Sequence, residues 1–207
     1  MRIRGLSYAA LRQAARVSLA AALAVCLAGT SEPARASENQ PHLKAVRSVD
    51  APNGFSGVCA RYDWACAKSG RTTSLGRDVL VLAEKLNRSI NRSTREIADD
   101  EQYRRAEYWA LPTARGGDCE DFALAKKQAL IAGGVVPERL LIATVLDRAQ
   151  NPHAVLVLRT DAGDYILDNL TNRIVGWRET GYTFLRMQNP ASPGQWSAVL
   201  RGGILGG

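Results

Sequence analysis

The chain has 207 residues, a formal net charge of +7, four cysteines and two histidines. That length suits one domain with a real core. The 46% hydrophobic and 23% charged fractions are those of a globular protein, not of a collagen, a disordered tail or a disulfide-dense mini-protein. Two histidines exclude a histidine-rich metal centre and leave few residues for any histidine-dependent chemistry.

The first segment reads as an export signal. Arg2, Arg4, Arg12 and Arg16 form a basic start, Val17 to Gly29 is an apolar run, and Ala34-Arg35-Ala36 supplies a small-x-small cleavage pattern. The run is short for a membrane span, which needs about 20 residues. Val25, not a small residue, precedes Cys26, which disfavours lipidation. Residues 1–36 are therefore expected to be a signal peptide, with a periplasmic mature chain starting at Ser37. Five arginines and Glu32 leave with the leader, so 22 basic and 19 acidic residues remain, about +3. The folded part thus lacks the clustered positive charge that nucleic-acid binding needs.

Residues 37–57 are polar, carry Pro41, Pro52, Gly54 and Gly57, and lack periodicity, so a loose N-terminal arm is expected. The folded domain is then expected over 58–207. Six residues separate Cys59 from Cys66 in an exported, oxidising setting, and a local disulfide is the expected pairing. Zinc would need four ligands, which this stretch does not offer. Cys119 is left as a free thiol and a candidate nucleophile.

Leu75, Val79, Leu82, Ala83, Leu86 and Ile90 recur at helical spacing, predicting an amphipathic helix over 75–90. Residues 91–105 are charged and broken, and Glu107 to Pro112 is an aromatic turn. A second helix starts at Asp118, which suits an N-cap, and stops at Gly133-Gly134 before Pro137. Phe122, Ala125, Ala129 and Ala132 would be its buried stripe. Beyond Pro137 the period changes. Arg139 to Leu146, His153 to Arg159 and Asp164 to Asp168 read as strands, with a turn over 161–164. Tyr182 to Met187 and Trp196 to Leu200 would add edge strands. Helices followed by strands argue an α+β fold, a nucleophile helix packed on an antiparallel sheet.

Three residues align within that order. Cys119 opens a helix, where the helix dipole favours a thiolate. His153 starts a strand, and Asp168 ends the next one. A thiol nucleophile needs a base, and the base needs an acceptor to fix its tautomer. With the turn at 161–164, paired positions sum to about 325. That sets His153 opposite position 172 and leaves Asp168 four residues off, so contact needs a bulge or a shifted turn. Each residue also has a plainer reading: an inert core thiol, a turn histidine, a turn-capping aspartate.

The run Gly116-Gly117-Asp118-Cys119-Glu120-Asp121-Phe122-Ala123 resembles the signature of the bacterial transglutaminase-like cysteine proteinases. So do His153-Ala154-Val155-Leu156, Gly163 to Leu170, Tyr108 to Pro112 and the Cys59/Cys66 pair, a resemblance over roughly 55–200. It implies a papain-like, transglutaminase-like core and a triad of Cys119, His153 and Asp168. It also implies a periplasmic protease that clips large surface adhesins, depends on calcium, uses no organic cofactor and is restrained by an inner-membrane cyclic-di-GMP receptor. The acids carried over as calcium-linked are Asp118 and Glu120.

Those acids also raise a question of charge. Carboxylates beside Cys119 oppose a thiolate, and a hard cation would cancel their field. Any such site would borrow further ligands, with the Asn91 to Asp100 loop a source. Helix capping by Asp118 and Asp121 is the competing reading. An oxyanion would meet the Cys119 backbone N–H first, with Trp109 either a second donor or a core aromatic. Three functions stay open: a cysteine endopeptidase, an acyl transferase of transglutaminase or arylamine acetyltransferase type, and a silent binding module of the same fold.

Overall fold

The computed structural model describes residues 42–71 and 73–206; the expected signal peptide over 1–36 lies outside them. In chain order the elements are β1 (Arg47–Val49), α1 (Val58–Arg61), α2 (Asp63–Cys66), α3 (Arg77–Ser93), α4 (Asp99–Tyr103), α5 (Cys119–Ala132), β2 (Leu140–Leu146), β3 (Pro152–Thr160), β4 (Gly163–Leu167), β5 (Val175–Gly176), β6 (Thr183–Asn189) and β7 (Ser192–Arg201). The strands form one antiparallel sheet in the order β1-β7-β6-β2-β3-β4-β5. This is the expected α+β class. β6 and β7 are not edge strands, however: β6 pairs with β2, and the short β1 and β5 close the sheet.

The continuous apolar runs of β2 and β3 follow from burial on both faces. On one face Leu140, Ile142, Leu156 and Leu158 pack with Val79, Ala83, Leu124 and Leu130 of α3 and α5. On the other, Leu141, Val155, Val157 and Ile166 pack with Leu43, Trp177, Tyr182 and Phe184. Leu43 belongs to the expected loose arm, and that expectation fails over residues 42–57. The carboxylate of Asp164, fully buried, accepts the Leu43 N–H at 2.7 Å and meets His42 Nδ1 at 2.9 Å. Arg159 closes the clamp, giving hydrogen bonds to Asp164 and to the Leu43 carbonyl. β1 then pairs with β7.

α5 does not bury the predicted alanine stripe. Its buried residues are Glu120, Asp121, Phe122, Ala123, Leu124, Lys126, Lys127 and Leu130, while Ala132 is exposed. The helix is wrapped on several sides, so a single apolar stripe does not describe it. Lys127 shows why a polar residue can sit inside. Its Nζ donates to the Ala65 carbonyl at 2.7 Å and to Gln188 Oε1 at 2.8 Å, tying α5 to α2 and β6. Burial pushes the Lys127 amine down to about 7. Cys59 and Cys66 form the expected disulfide, which joins α1 to α2, and Cys119 is free.

Candidate active site

The β3–β4 ladder runs from Thr160–Gly163 to Leu156–Leu167 and stops there. Continuing that register sets position 168 opposite Val155, two residues from His153 on the same face of the strand. Diagonal neighbours of this kind lie within reach of longer side chains. The expected offset of four is thus two, and no bulge is needed. His153 Nε2 and Asp168 Oδ1 are 2.9 Å apart, both side chains buried. Nε2 is committed to the carboxylate, so Nδ1 is the ring nitrogen left for another partner.

Asp168 is held from all sides. Oδ1 also accepts the Leu170 N–H at 2.9 Å, Oδ2 accepts the Tyr182 hydroxyl at 2.6 Å, and Asn91 Nδ2 donates to the Asp168 carbonyl at 2.9 Å. Burial by itself would push this carboxyl up. The His153 hydrogen bond and charge, with the Tyr182 and Leu170 bonds, outweigh it and hold the group below its ordinary value.

Cys119 and His153 line one cavity of about 290 Å³, together with Trp109, Glu107, Glu120 and Arg186. Cys119 is the first residue of α5. Its thiol donates to Glu120 Oε2 at 3.2 Å. Burial first, then the Glu120 and Asp118 carboxylates, push the thiol far up, and the Ala154 backbone N–H pulls weakly the other way. Trp109 is buried at 2% exposure in an edge-to-face trio with Phe55 and Trp196, and its indole N–H has no acceptor among the described residues.

The acid cluster is built by a backbone contact. Gly116 has φ +128, and a Cβ there would lie 2.0 Å from the Arg95 carbonyl oxygen. Only glycine allows this approach. Gly117 N–H then donates to Arg95 O, and Ile97 N–H to Gly117 O. This brings Asp99, just beyond Ile97, to Asp118. One oxygen each from Asp99, Asp118 and Glu120 lies within 4.8 Å of the others. Asp99, the first residue of α4, falls within the Asn91 to Asp100 stretch from which a further ligand was expected.

Helix capping does not account for Asp118, which makes no side-chain cap hydrogen bond. Asp121 Oδ1 instead accepts the Ala110 N–H at 2.7 Å. Asp99 Oδ1, Asp118 Oδ1, Glu120 Oε1 and Asp121 Oδ2 are buried with no hydrogen-bond partner among the described residues. Burial and mutual repulsion push Asp118 up to about 6, Asp121 to about 8 and Glu120 to about 9. Buried acceptors without donors suit a hard cation, which takes six or more oxygens.

A thiol at a helix start, sharing a cavity with a buried histidine–carboxylate pair, is the arrangement that thiol hydrolases and acyltransferases have in common. The profile of the bacterial transglutaminase-like cysteine proteinases matches residues 45–203, and the chain belongs to that family. It is a cysteine peptidase by that membership, as the run Gly116 to Ala123 implied.

Among solved structures, calcium-bound Legionella pneumophila LapG aligns with a TM-score of 0.48 at 27% identity, over 59% of this chain and 70% of that one. The EGTA-treated form gives 0.47 at 28%, over 54% and 63%. A further LapG structure gives 0.46 at 27%, over 54% and 65%. Comparison with curated proteins returns no match.

Sequence reasoning named Cys119, His153, Asp168, Trp109, Asp118 and Glu120 and missed Tyr182, Asn91 and the particular acid Asp99. Nothing local marks these three, because each reaches the site through a contact between distant segments.

Proposed function

We propose that the chain is an exported cysteine endopeptidase that cuts a backbone amide of a protein substrate with Cys119, His153 and Asp168. The observation that carries this is the buried His153–Asp168 pair at 2.9 Å, with His153 lining the cavity that holds the only free cysteine among the described residues.

In this reading His153 Nδ1 takes the Cys119 proton and Sγ attacks the carbonyl carbon. The Cys119 backbone N–H, at the positive end of α5, faces the developing oxyanion. Trp109 is a second donor to it. The imidazolium returns its proton to the leaving amine, whose C–N bond breaks to leave an S-acyl enzyme. His153 then removes a proton from water, which attacks the thioester and releases the new carboxyl end and the thiol. Asp168 holds Nε2–H throughout and so fixes the useful tautomer.

Asp99, Asp118 and Glu120 are the residues that would hold calcium, and their orphaned oxygens support the assignment. When bound, calcium supplies positive charge that offsets the acidic field keeping the thiol protonated. The leader over 1–36 supports export to the periplasm. The family resemblance supports a large surface adhesin as substrate and a cyclic-di-GMP receptor in the inner membrane as restraint.

The test is cleavage of a surface adhesin of the same cell, in calcium, by wild type and by Cys119→Ala. A new free carboxyl end made only by wild type is expected. A product linked to an added amine would mean acyl transfer, and no wild-type product would remove the peptidase reading. N-terminal sequencing of periplasmic protein should start at Ser37; Met1 from a membrane fraction would defeat export.

A further inference from the structure

Tyr182 touches both members of the histidine–carboxylate pair. Its hydroxyl donates to Asp168 Oδ2 at 2.6 Å, and its ring meets the His153 imidazole edge-to-face, centroids 5.9 Å apart at 89°. The oxygen it occupies is the one His153 and Leu170 leave free. A carboxylate held on one oxygen alone can still rotate about its Cβ–Cγ bond. Held on both, its plane is fixed, and with it the direction of the acceptor facing Nε2.

The residue is itself clamped. Its N–H donates to Thr180 Oγ1 at 3.0 Å. Gly202, at φ +79, packs so tightly that a Cβ there would lie 2.5 Å from the Tyr182 carbonyl oxygen. Gly203, at φ +48, would come within 3.1 Å of the Tyr182 carbonyl carbon. Residues 202 and 203 thus lie close against the Tyr182 backbone, an approach that glycines in left-handed backbone allow.

A second cavity, about 360 Å³ and larger than the one holding Cys119, is lined by Asp168 and Tyr182 with Arg148 and Thr171. Water in this space would compete for Oδ2 if the phenol did not occupy it. Burial and the Asp168 hydrogen bond push the phenol far above its ordinary value, so it remains a donor throughout the neutral range.

We propose that Tyr182 is a positioning residue for the nucleophile, fixing the Asp168 carboxylate and bracing the His153 ring so that Nδ1 stays turned to Cys119. This rests on the triad reading above. It acts through Asp168 and His153, not on the substrate.

The test compares wild type, Tyr182→Phe, His153→Ala and Phe184→Leu in calcium-loaded protein. Phe184 shares the apolar cluster with Tyr182 and meets Trp177 edge-to-face, so its variant controls for loosened packing. Two quantities are read: the rate of Cys119 alkylation by iodoacetamide at neutral pH, and the His153 Nε2–H signal in 15N-histidine-labelled protein. With two histidines in the chain the assignment is direct.

Wild type should alkylate faster than glutathione. Tyr182→Phe should be about five- to tenfold slower, because water replaces only part of a lost bond to a charged group, with the Nε2–H signal displaced. Phe184→Leu should lower the melting temperature without either change. Wild type reacting no faster than glutathione would sink the triad reading and Tyr182 with it. A fast wild type matched by Tyr182→Phe would overturn the Tyr182 role alone. Equal slowing in Phe184→Leu would also overturn it, as general loosening.

Discussion

Two carboxylate regions flank the Cys119–His153 cavity, and they are built in opposite ways. Asp168 has donors on both oxygens and lies below its ordinary value. The cluster of Asp99, Asp118, Glu120 and Asp121 leaves four buried oxygens without donors, and its members are pushed up. Both are buried, so burial does not separate them; the supply of donors does. A satisfied carboxylate is finished by the chain itself. An unsatisfied cluster repels itself and calls for a proton or a cation. Cys119 lies between a region whose acceptors folding has satisfied and one whose buried oxygens are left without donors.

Breaking the satisfied side should cost most. Cys119→Ala should abolish turnover with the fold retained, since it removes the only free thiol among the described residues at the cost of a single sulfur. Circular dichroism and turnover together check this. His153→Ala should be nearly as severe, because the other histidine, His42, is bound to Asp164. Asp168→Asn should keep the shape and lose up to ~10⁴-fold in turnover through the wrong tautomer. A loss under tenfold would show that the pairing is structural only.

The unsatisfied side should instead lose its response to metal. Calcium at about 100 times its dissociation constant should stabilise the protein by roughly 2.7 kcal/mol, read as a rise in melting temperature over chelated protein. Asp99→Asn and Glu120→Gln should remove most of that rise. The rise should also depend on pH with a definite sign. Without metal, Asp118 and Glu120 hold protons up to about 6 and about 9. Calcium must displace those protons, so its effect grows from pH 5 to pH 9 and levels beyond. A calcium effect that is flat or falling over that window would remove these acids from the site.

A smaller effect tests how the cluster is assembled. A Cβ at Gly117 would lie 2.6 Å from Asp121 Cβ and Oδ2. Gly117→Ala should therefore destabilise by about 1–3 kcal/mol and weaken the calcium response, measured by denaturant titration with and without metal. Smallest of all, Glu84→Ala breaks the exposed Glu84–Arg88 pair on α3, away from both regions. It should cost under about 0.5 kcal/mol and leave activity alone.

Periodicity and punctuation made α3, α5 and the β2–β4 meander legible in the sequence. Local spacing made the Cys59–Cys66 pairing legible, and scarcity pointed to Cys119 and His153. These are short-range properties: helical period, strand alternation, a glycine stop, an odd cysteine in an oxidising setting. Local pattern failed where a residue's surroundings come from elsewhere. The alanine stripe of α5 looked like its core face, yet Lys127 is fully buried, because Ala65 and Gln188 supply it acceptors from other elements. The arm looked loose because its partner, Asp164, lies more than a hundred residues away.

The sequence by itself determined the chemistry available: one free thiol in the folded part, one histidine beyond the arm, acids packed around the cysteine, and the helix-then-strand order that puts thiol and imidazole on different layers. Tertiary structure decided how those groups are used. It set the ladder so that Asp168 falls diagonal to His153, and it brought Asp99 to Asp118 through the backbone contact at Gly116. It also carried Tyr182, just before β6, to the free oxygen of Asp168. The reason is range. Residue type and spacing fix what a short segment can do, but donors and acceptors are matched only when the whole chain has closed on itself.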